Sequence, residues 1–306
     1  MLARRKVWID GRLAPFNQAR VHIMSHSFCR GSAIFEVMCL DDTDLGPAVF
    51  RLDDHLQRLQ SSAQHIRMKL PFSARGLKEA VLATVKANRL SSGMVKLMAF
   101  YGEVEFEVIP RNPKVTVAVV AVDQTADLAG ERFRRESRQP AEVCISPWRK
   151  PDPRTVPVEC KCAASYIGGM IAKLDGIAAG YSTPILLDLK GLVAEGATES
   201  VFMVKKRVLY TPALGNILAG ITRRTILEVA RDLGIETREA KLRSRDLLTA
   251  DEIFFTSSVS KIWPVARLEQ KRFKAPGELT RLLEKVLDKV HEGKVKRYRK
   301  WLSMAK

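Results

Sequence analysis

The sequence predicts a mixed α/β protein of two domains, and three observations carry that expectation. Near-continuous apolar runs such as Val115–Val122 alternate along the chain with stripes at three- and four-residue spacing, such as Leu56, Leu59, Ala63 and Ile66. A polar, charged stretch over 123–140 interrupts this pattern near the middle of the chain. The length, 306 residues, suits two cores of separate domains. The expected division is an N-terminal α/β domain over 1–122, a linker over 123–136 and a larger C-terminal α/β domain over 137–306.

Taken in order, Val7-Trp8-Ile9 reads as a strand entering a hairpin-type turn at Asp10-Gly11. Ile34 to Cys39 and Ala48 to Arg51 read as strands around an acidic loop, and Asp53-Asp54 offers an N-cap for the striped helix that follows. A second helix is expected from Leu77 to Asn88, then buried strands from Val95 to Phe100 and Val115 to Val122. After the break, Glu142 to Ile145 is a strand, Pro147 to Pro153 a proline-rich loop, and Tyr166 to Ala178 a helix. Pro184 to Leu189 is a strand turned by Lys190-Gly191, and Val201 to Val204 with Arg207 to Tyr210 forms a hairpin through Lys205-Lys206. Thr222 to Leu233 carries Ile226, Val229, Ala230 and Leu233 on one helical face, and Glu252 to Thr256 is a further strand. Leu282, Leu283, Val286, Leu287 and Val290 predict a terminal helix whose basic face, running on through Lys294, Lys296, Arg297, Arg299 and Lys300, is solvated.

Composition narrows the class. Hydrophobic residues make up 46% and charged residues 28%, an ordinary soluble balance. Five cysteines without framework spacing read as reduced thiols, and Cys160-x-Cys162 has no second Cys/His pair to complete a metal site. No stretch has the apolar core of a signal peptide or the ~20 residues of a membrane span, so a cytoplasmic protein is expected. Lys and Arg exceed Asp and Glu by 51 to 34, a formal charge of +17 that attracts polyanions in general. The basic C-terminal cluster has no recognition motif or interleaved aromatics, so nucleic acid is not the expected partner.

Lys161 stands out, because it lies in a run of small and apolar residues, Val158 to Gly169. A sheltered amine has its charged form disfavoured and can attack a carbonyl, although a lysine in such a run can also carry its head to water. Leu218-Ala-Gly-Ile-Thr222 runs into a well-patterned helix whose first amides either bind an anion or are capped locally. Ala194 to Phe202 places Glu195 and Glu199 about a small-residue turn, as solvated acids or as a fixed partner for a cationic ring nitrogen. Arg58, beside the apolar stripe of its helix, can clamp a phosphate or join a surface ion pair, and Ser257 and Ser258 can add hydroxyl donors.

In order, these segments resemble the fold type IV pyridoxal-phosphate enzymes, nearest the branched-chain aminotransferase group of the class IV aminotransferases. The residues that carry the likeness span nearly the whole chain: Val21 to His26, Phe35-Glu36, His55 to Leu59, Thr155 to Pro157, Lys161 to Tyr166, Glu195 to Ala197, Leu218 to Thr222 and Ile262 to Val265. The resemblance implies two α/β domains with pyridoxal 5'-phosphate between them, usually in a homodimer. It makes Lys161 the Schiff-base lysine, Tyr166 the partner of the phenolic oxygen and Glu195 the partner of the pyridine nitrogen, a role it does not give Glu199. Arg58, the amides of Ile221 and Thr222, and Ser258 become the phosphate cup, with Phe35, Arg30, Lys96 and Val259 toward substrate. The implied reaction is ping-pong transfer of the amino group of an α-amino acid to a 2-oxo acid. The alternatives on the same scaffold are a lyase acting on aminodeoxychorismate and a D-amino-acid aminotransferase.

Several positions depart from the branched-chain pattern. Arg30 stands where a tyrosine is typical, and Met94 and Lys96 replace a Tyr-x-Arg pair that helps bind substrate carboxylates. Val37, Ala219 and Lys261 replace a glycine, a proline and a glutamate. Arg30 can supply a fork for a substrate carboxylate or pair with an acid such as Glu36, and the sequence leaves both open.

Overall fold

A computed structural model describes residues 2–128 and 139–305. The chain divides into two compact units, Met1–Arg132 with Cys160–Ala164 and Lys289–Lys306, and Phe133–Glu159 with Ser165–Asp288. The short segment that contains Lys161 and the C-terminal stretch both group with the first unit, whereas a linear division puts them in the second half. Of the expected linker, 129–136 lies outside the described residues. Its start is tied to the first unit: Arg5 Nε donates to Asp127 Oδ2 at 2.7 Å, and Asp123 caps its own turn by accepting from Thr125 N at 2.8 Å.

The first unit begins with β1 (Lys6–Ile9) and β2 (Arg12–Pro15), joined by Asp10 and Gly11 with φ of 44° and 95°. Two positive φ values in succession are what a tight right-twisted hairpin requires. Then come α1 (His26–Arg30), β3 (Ile34–Thr43), β4 (Gly46–Phe50), α2 (Leu52–His65), α3 (Ala74–Ala87), β5 (Gly93–Tyr101) and β6 (Val115–Val122). With the C-terminal strand Leu302–Met304, the strands form a seven-stranded antiparallel sheet, in the order Leu302–Met304, β4, β3, β5, β6, β1, β2. From Ile34 to Asp41 burial along β3 alternates, with Ile34, Glu36, Met38 and Leu40 on the covered face. That face packs under α2 and α3 through Leu52, Leu56, Leu59, Leu77, Val81 and Val85. Each such fully buried aliphatic side chain stabilises the unit by roughly 1.5–3 kcal/mol.

The start of α2 differs from expectation. Arg51 is not the end of a strand but a left-handed boundary residue with φ 50°, and the helix begins at Leu52. Asp53 and Asp54 therefore lie inside the first turn, where they favour the positive end of the helix dipole without capping it. Arg51 stacks its guanidinium 3.9 Å from the ring centroid of Trp301. The basic C-terminal segment also differs from a continued solvated helix. The last α-helix stops at His291, and Lys296–Trp301 forms a 3-10 helix that buries Tyr298 and Trp301. His291 Nδ1 lies 2.6 Å from Asp41 Oδ2, and its ring stacks on Phe50 at 3.9 Å.

The second unit holds β7 (Ala141–Arg149), α4 (Tyr166–Ala178), β8 (Thr183–Leu187), β9 (Val193–Gly196), β10 (Ser200–Lys205) and β11 (Val208–Pro212). It continues through α5 (Ile221–Asp232), β12 (Thr237–Ala240), α6 (Ser244–Leu248), β13 (Glu252–Ser257), β14 (Lys261–Leu268), β15 (Lys271–Arg272) and α7 (Glu278–His291), whose last residues from Lys289 group with the first unit. Its nine-stranded sheet runs β12, β11, β10, β13, β14, β7, β8, β9, with β15 on β14. The pairs β11/β12, β14/β7 and β7/β8 are parallel and the others antiparallel. The expected β10–β11 hairpin is present, but its turn is one residue later, at Lys206 and Arg207 with φ of 50° and 63°. Val201, Met203, Ile185, Phe255, Trp263 and Leu268 fill one face of the sheet. Among the described residues no helix is long and apolar enough to cross a membrane.

Candidate active site

Lys161 sits at the apex of a three-residue turn, closed by Cys162 N donating to Cys160 O at 2.9 Å. Cys160 and Cys162 turn into the core of the first unit, 1% and 8% exposed, which directs the lysine between them the other way. The backbone here is docked on the start of β3: Phe35 N donates to Lys161 O at 3.1 Å, and Ala163 N to Ala33 O at 2.8 Å. Ser62 Oγ of α2 accepts from Lys161 N at 3.0 Å. Gly31, with φ 67°, permits this docking, since a Cβ there would lie 2.9 Å from Ala164 Cβ. The half-buried Lys161 places Nζ 5.1 Å from the centroid of the Phe35 ring, and Lys96 places its own Nζ 4.8 Å from the same ring. Burial pushes the Lys96 amine below its usual value.

Arg58 is aimed by a buried carboxylate. Its Nε donates to Glu36 Oε1 at 2.8 Å and its Nη2 to Glu36 Oε2 at 2.5 Å, while His55 Nδ1 lies 2.6 Å from Oε2. Glu36 has no exposed surface, and burial by itself would push its carboxyl up. The charge and hydrogen bonds of Arg58, then those of His55, outweigh this and hold it at about 2. Burial pushes His55 below its usual value, against the opposing pull of the Glu36 carboxylate. The pairing of Arg30 with Glu36 does not occur. Arg30 is exposed and its Nη2 donates to Phe106 O at 2.9 Å.

The second unit gathers a different set. Tyr166 opens α4, half-buried. Glu195 lies near the end of β9, paired across to Leu186 of β8. One of its oxygens accepts from Lys150 Nζ and the other from Leu218 N at 3.3 Å, so the carboxylate also tethers the loop leading to α5. Glu199 is turned elsewhere, accepting from Thr198 N and Thr198 Oγ1, both at 2.9 Å. At the start of α5 the N-cap residue is Gly220, and no side chain caps the first turn. Thr222 lies inside the helix rather than capping it. Arg223 is drawn away to Pro212 O and Glu239 Oε2, at 2.8 and 2.6 Å. Ser258 and Val259 occupy the half-buried turn between β13 and β14, where Ser257 Oγ and Ser260 Oγ lie 2.8 Å apart.

These residues suit a phosphorylated ring. An uncapped helix start presents amides with a favourable dipole to an anion. Gly220 lets this helix start pack closely on β10, since a Cβ there would lie 2.7 Å from Ser200 Oγ. A carboxylate fixed through both oxygens is an acceptor for a ring N–H. Lys150 and the Glu36–His55 pair were not legible as site residues. Lys150 and Glu195 are 45 positions apart, and Glu36 and His55 are separated by 19, so no local pattern joins them.

Comparison with known proteins places the chain in a family. The family model described as amino-transferase class IV matches residues 33–268. The branched-chain-amino-acid aminotransferase of Salmonella typhimurium is 34% identical over 265 residues, 86% of this chain and 84% of that protein. The crystal structure of a branched-chain aminotransferase from Thermoproteus uzoniensis with norvaline superposes with a TM-score of 0.93 at 30% identity, covering 99% of each chain. That of a branched-chain amino acid aminotransferase from Thermobaculum terrenum in its PLP form gives 0.91 at 28% identity over 100% of each. With the lysine, the paired carboxylate and the open helix start in the order of its sequence motifs, the chain belongs to the class IV aminotransferases.

Proposed function

We propose that the protein is a pyridoxal-phosphate-dependent aminotransferase that transfers the amino group of a branched-chain or related α-amino acid to a 2-oxo acid. The observation that carries this reading is Lys161, its backbone locked on β3 and its amine held over Phe35, in a chain matched to the family across residues 33–268. When bound, the cofactor supplies an electron sink for the pair left behind as the substrate Cα loses its proton. Lys161 Nζ would hold the cofactor and, once free, would take the substrate Cα proton as general base and give it back as general acid. Glu195 would accept a hydrogen bond from the ring nitrogen and balance its positive charge. In the second unit the amides of Ile221 and Thr222 with Ser258 would hold the phosphate and Tyr166 would donate to the phenolic oxygen; in the first unit Arg58 is the residue assigned to the phosphate. Phe35, Arg30 and Lys96 of the first unit, and Val259 of the second, are the residues assigned to substrate. Lys96 replaces a bidentate guanidinium by a single ammonium, so a substrate carboxylate is held by charge more than by a fork.

We infer a homodimer as the working unit. Helix α4 leaves Ile167, Met170, Leu174 and Ile177 more than half exposed at helical spacing. Such a stripe is the pattern of a subunit contact. Free thiols at all five cysteines accord with a reducing, cytoplasmic setting. The reading is tested by adding L- and D-amino acids one at a time to the purified enzyme and recording cofactor absorbance. Bleaching of the lysine-bound band by L-leucine, L-isoleucine or L-valine, with the 2-oxo acid released, is expected. Bleaching by D-alanine alone, or release of pyruvate from 4-amino-4-deoxychorismate with no oxo-acid acceptor, would overturn it.

A further inference from the structure

The geometry points to Lys150 as the residue that positions Glu195 against the cofactor ring nitrogen, and so sets the protonation of that nitrogen during transamination. This rests on the reading that Glu195 is the ring-nitrogen partner. Lys150 directly follows β7, and its backbone N donates to Leu187 O at the end of β8 at 2.9 Å. On the other side of β8, Glu195 of β9 pairs with Leu186. Lysine and carboxylate are thus mounted on strands that flank one central strand, and their side chains meet over it, 11% and 13% exposed.

Each carboxylate oxygen has one fixed donor, Lys150 Nζ on Oε1 and Leu218 N on Oε2. A carboxylate offers about four acceptor directions, so both oxygens retain capacity for a ring N–H. Without Lys150 the carboxylate keeps, among the described residues, the 3.3 Å contact to Leu218 N, and a mostly buried anion loses its counter-charge. The second acid of the same turn, Glu199, is held on Thr198 and takes no part in this pair.

The test uses the holoenzyme loaded with pyridoxal phosphate carrying nitrogen-15 in the ring, in wild type, Lys150→Met, Lys150→Gln and Lys150→Arg. The ring-nitrogen NMR shift is read at one neutral pH, beside kcat, KM and circular dichroism. The proposal expects a protonated shift in wild type and a move toward the unprotonated value in Lys150→Met and Lys150→Gln. It also expects kcat to fall roughly ten- to hundredfold in those variants with KM changed less than about threefold, and Lys150→Arg to recover most of both. A wild-type shift and kcat in the folded Met or Gln variant, with only the melting temperature lowered, would show a purely structural ion pair and overturn it. If Glu195→Gln leaves the shift unmoved, the assignment of Glu195 itself fails and the proposal falls with it. A shift that responds to Glu195→Gln but not to Lys150→Met refutes the role of Lys150 alone.

Discussion

At the scale of single residues, Glu36 links the fold to pH. A carboxyl held at about 2 against an ordinary 4.5 contributes on the order of 3 kcal/mol at neutral pH. The folded value is the lower one, so this stability is present above the unfolded value and is lost as pH falls from 4.5 toward 2. His55 acts in the same direction. Its folded value is depressed from 6.5, so its contribution is full above that pH and declines as acid charges the ring in the unfolded chain. Urea unfolding from pH 8 to pH 3 should therefore show stability falling first near the histidine range and again below pH 4.5. Glu36→Gln should flatten the second decline and cost about 3–5 kcal/mol at pH 7, because the Arg58 guanidinium loses its buried counter-charge. An unchanged acid limb in that variant would contradict the assignment. The Arg58–Glu36–His55 set was only partly visible in the sequence. Arg58 was legible from its helix face as a charged group near the stripe, but its partner lies on a strand whose acids gave no sign of which faced inward.

At the scale of elements, the start of α5 tests the anion site. Gly220 has φ −65°, which any residue adopts, so a substitution there acts through space and not through backbone strain. Gly220→Ala brings a Cβ to 2.7 Å from Ser200 Oγ and 3.2 Å from Arg223 Cβ, so the turn that presents the first amides must shift. Equilibrium dialysis should find cofactor affinity weakened by about tenfold, which is ~1.4 kcal/mol, with the melting temperature of the apoprotein nearly unchanged. Unaltered affinity would remove the helix start from the phosphate cup. Elements with clear periodicity were read closely: Tyr166 to Ala178 is helical as expected, and Val115 to Val122 is a strand. Boundaries were less legible, since Arg51 ends one element by adopting a left-handed conformation that its side chain does not announce. The short β2, α1 and β12 escaped because four or five residues do not display a period.

At the scale of the molecule, the order of motifs was more telling than any one of them. Lys161, Glu195 and the Gly220 helix start each had a bland local explanation, and together in that order they identified the family. The grouping of Cys160–Ala164 and Lys289–Lys306 with the first unit was not legible, because both returns are made by long-range strand contacts that leave no local trace. The apolar stripe on α4 gives a prediction at this scale. Leu174→Asp, on an exposed helix face, should keep the fold and shift the sedimentation coefficient from dimer to monomer. A monomeric wild type, or a Leu174→Asp variant that stays dimeric, would refute that stripe as the contact. The central claim is that Lys161 carries the cofactor, and borohydride reduction tests it most directly. The purified holoenzyme is reduced, digested and sequenced by mass spectrometry. A phosphopyridoxyl group on Lys161 is the predicted result, and its absence there, or its presence on Lys96 or another lysine, would contradict the account.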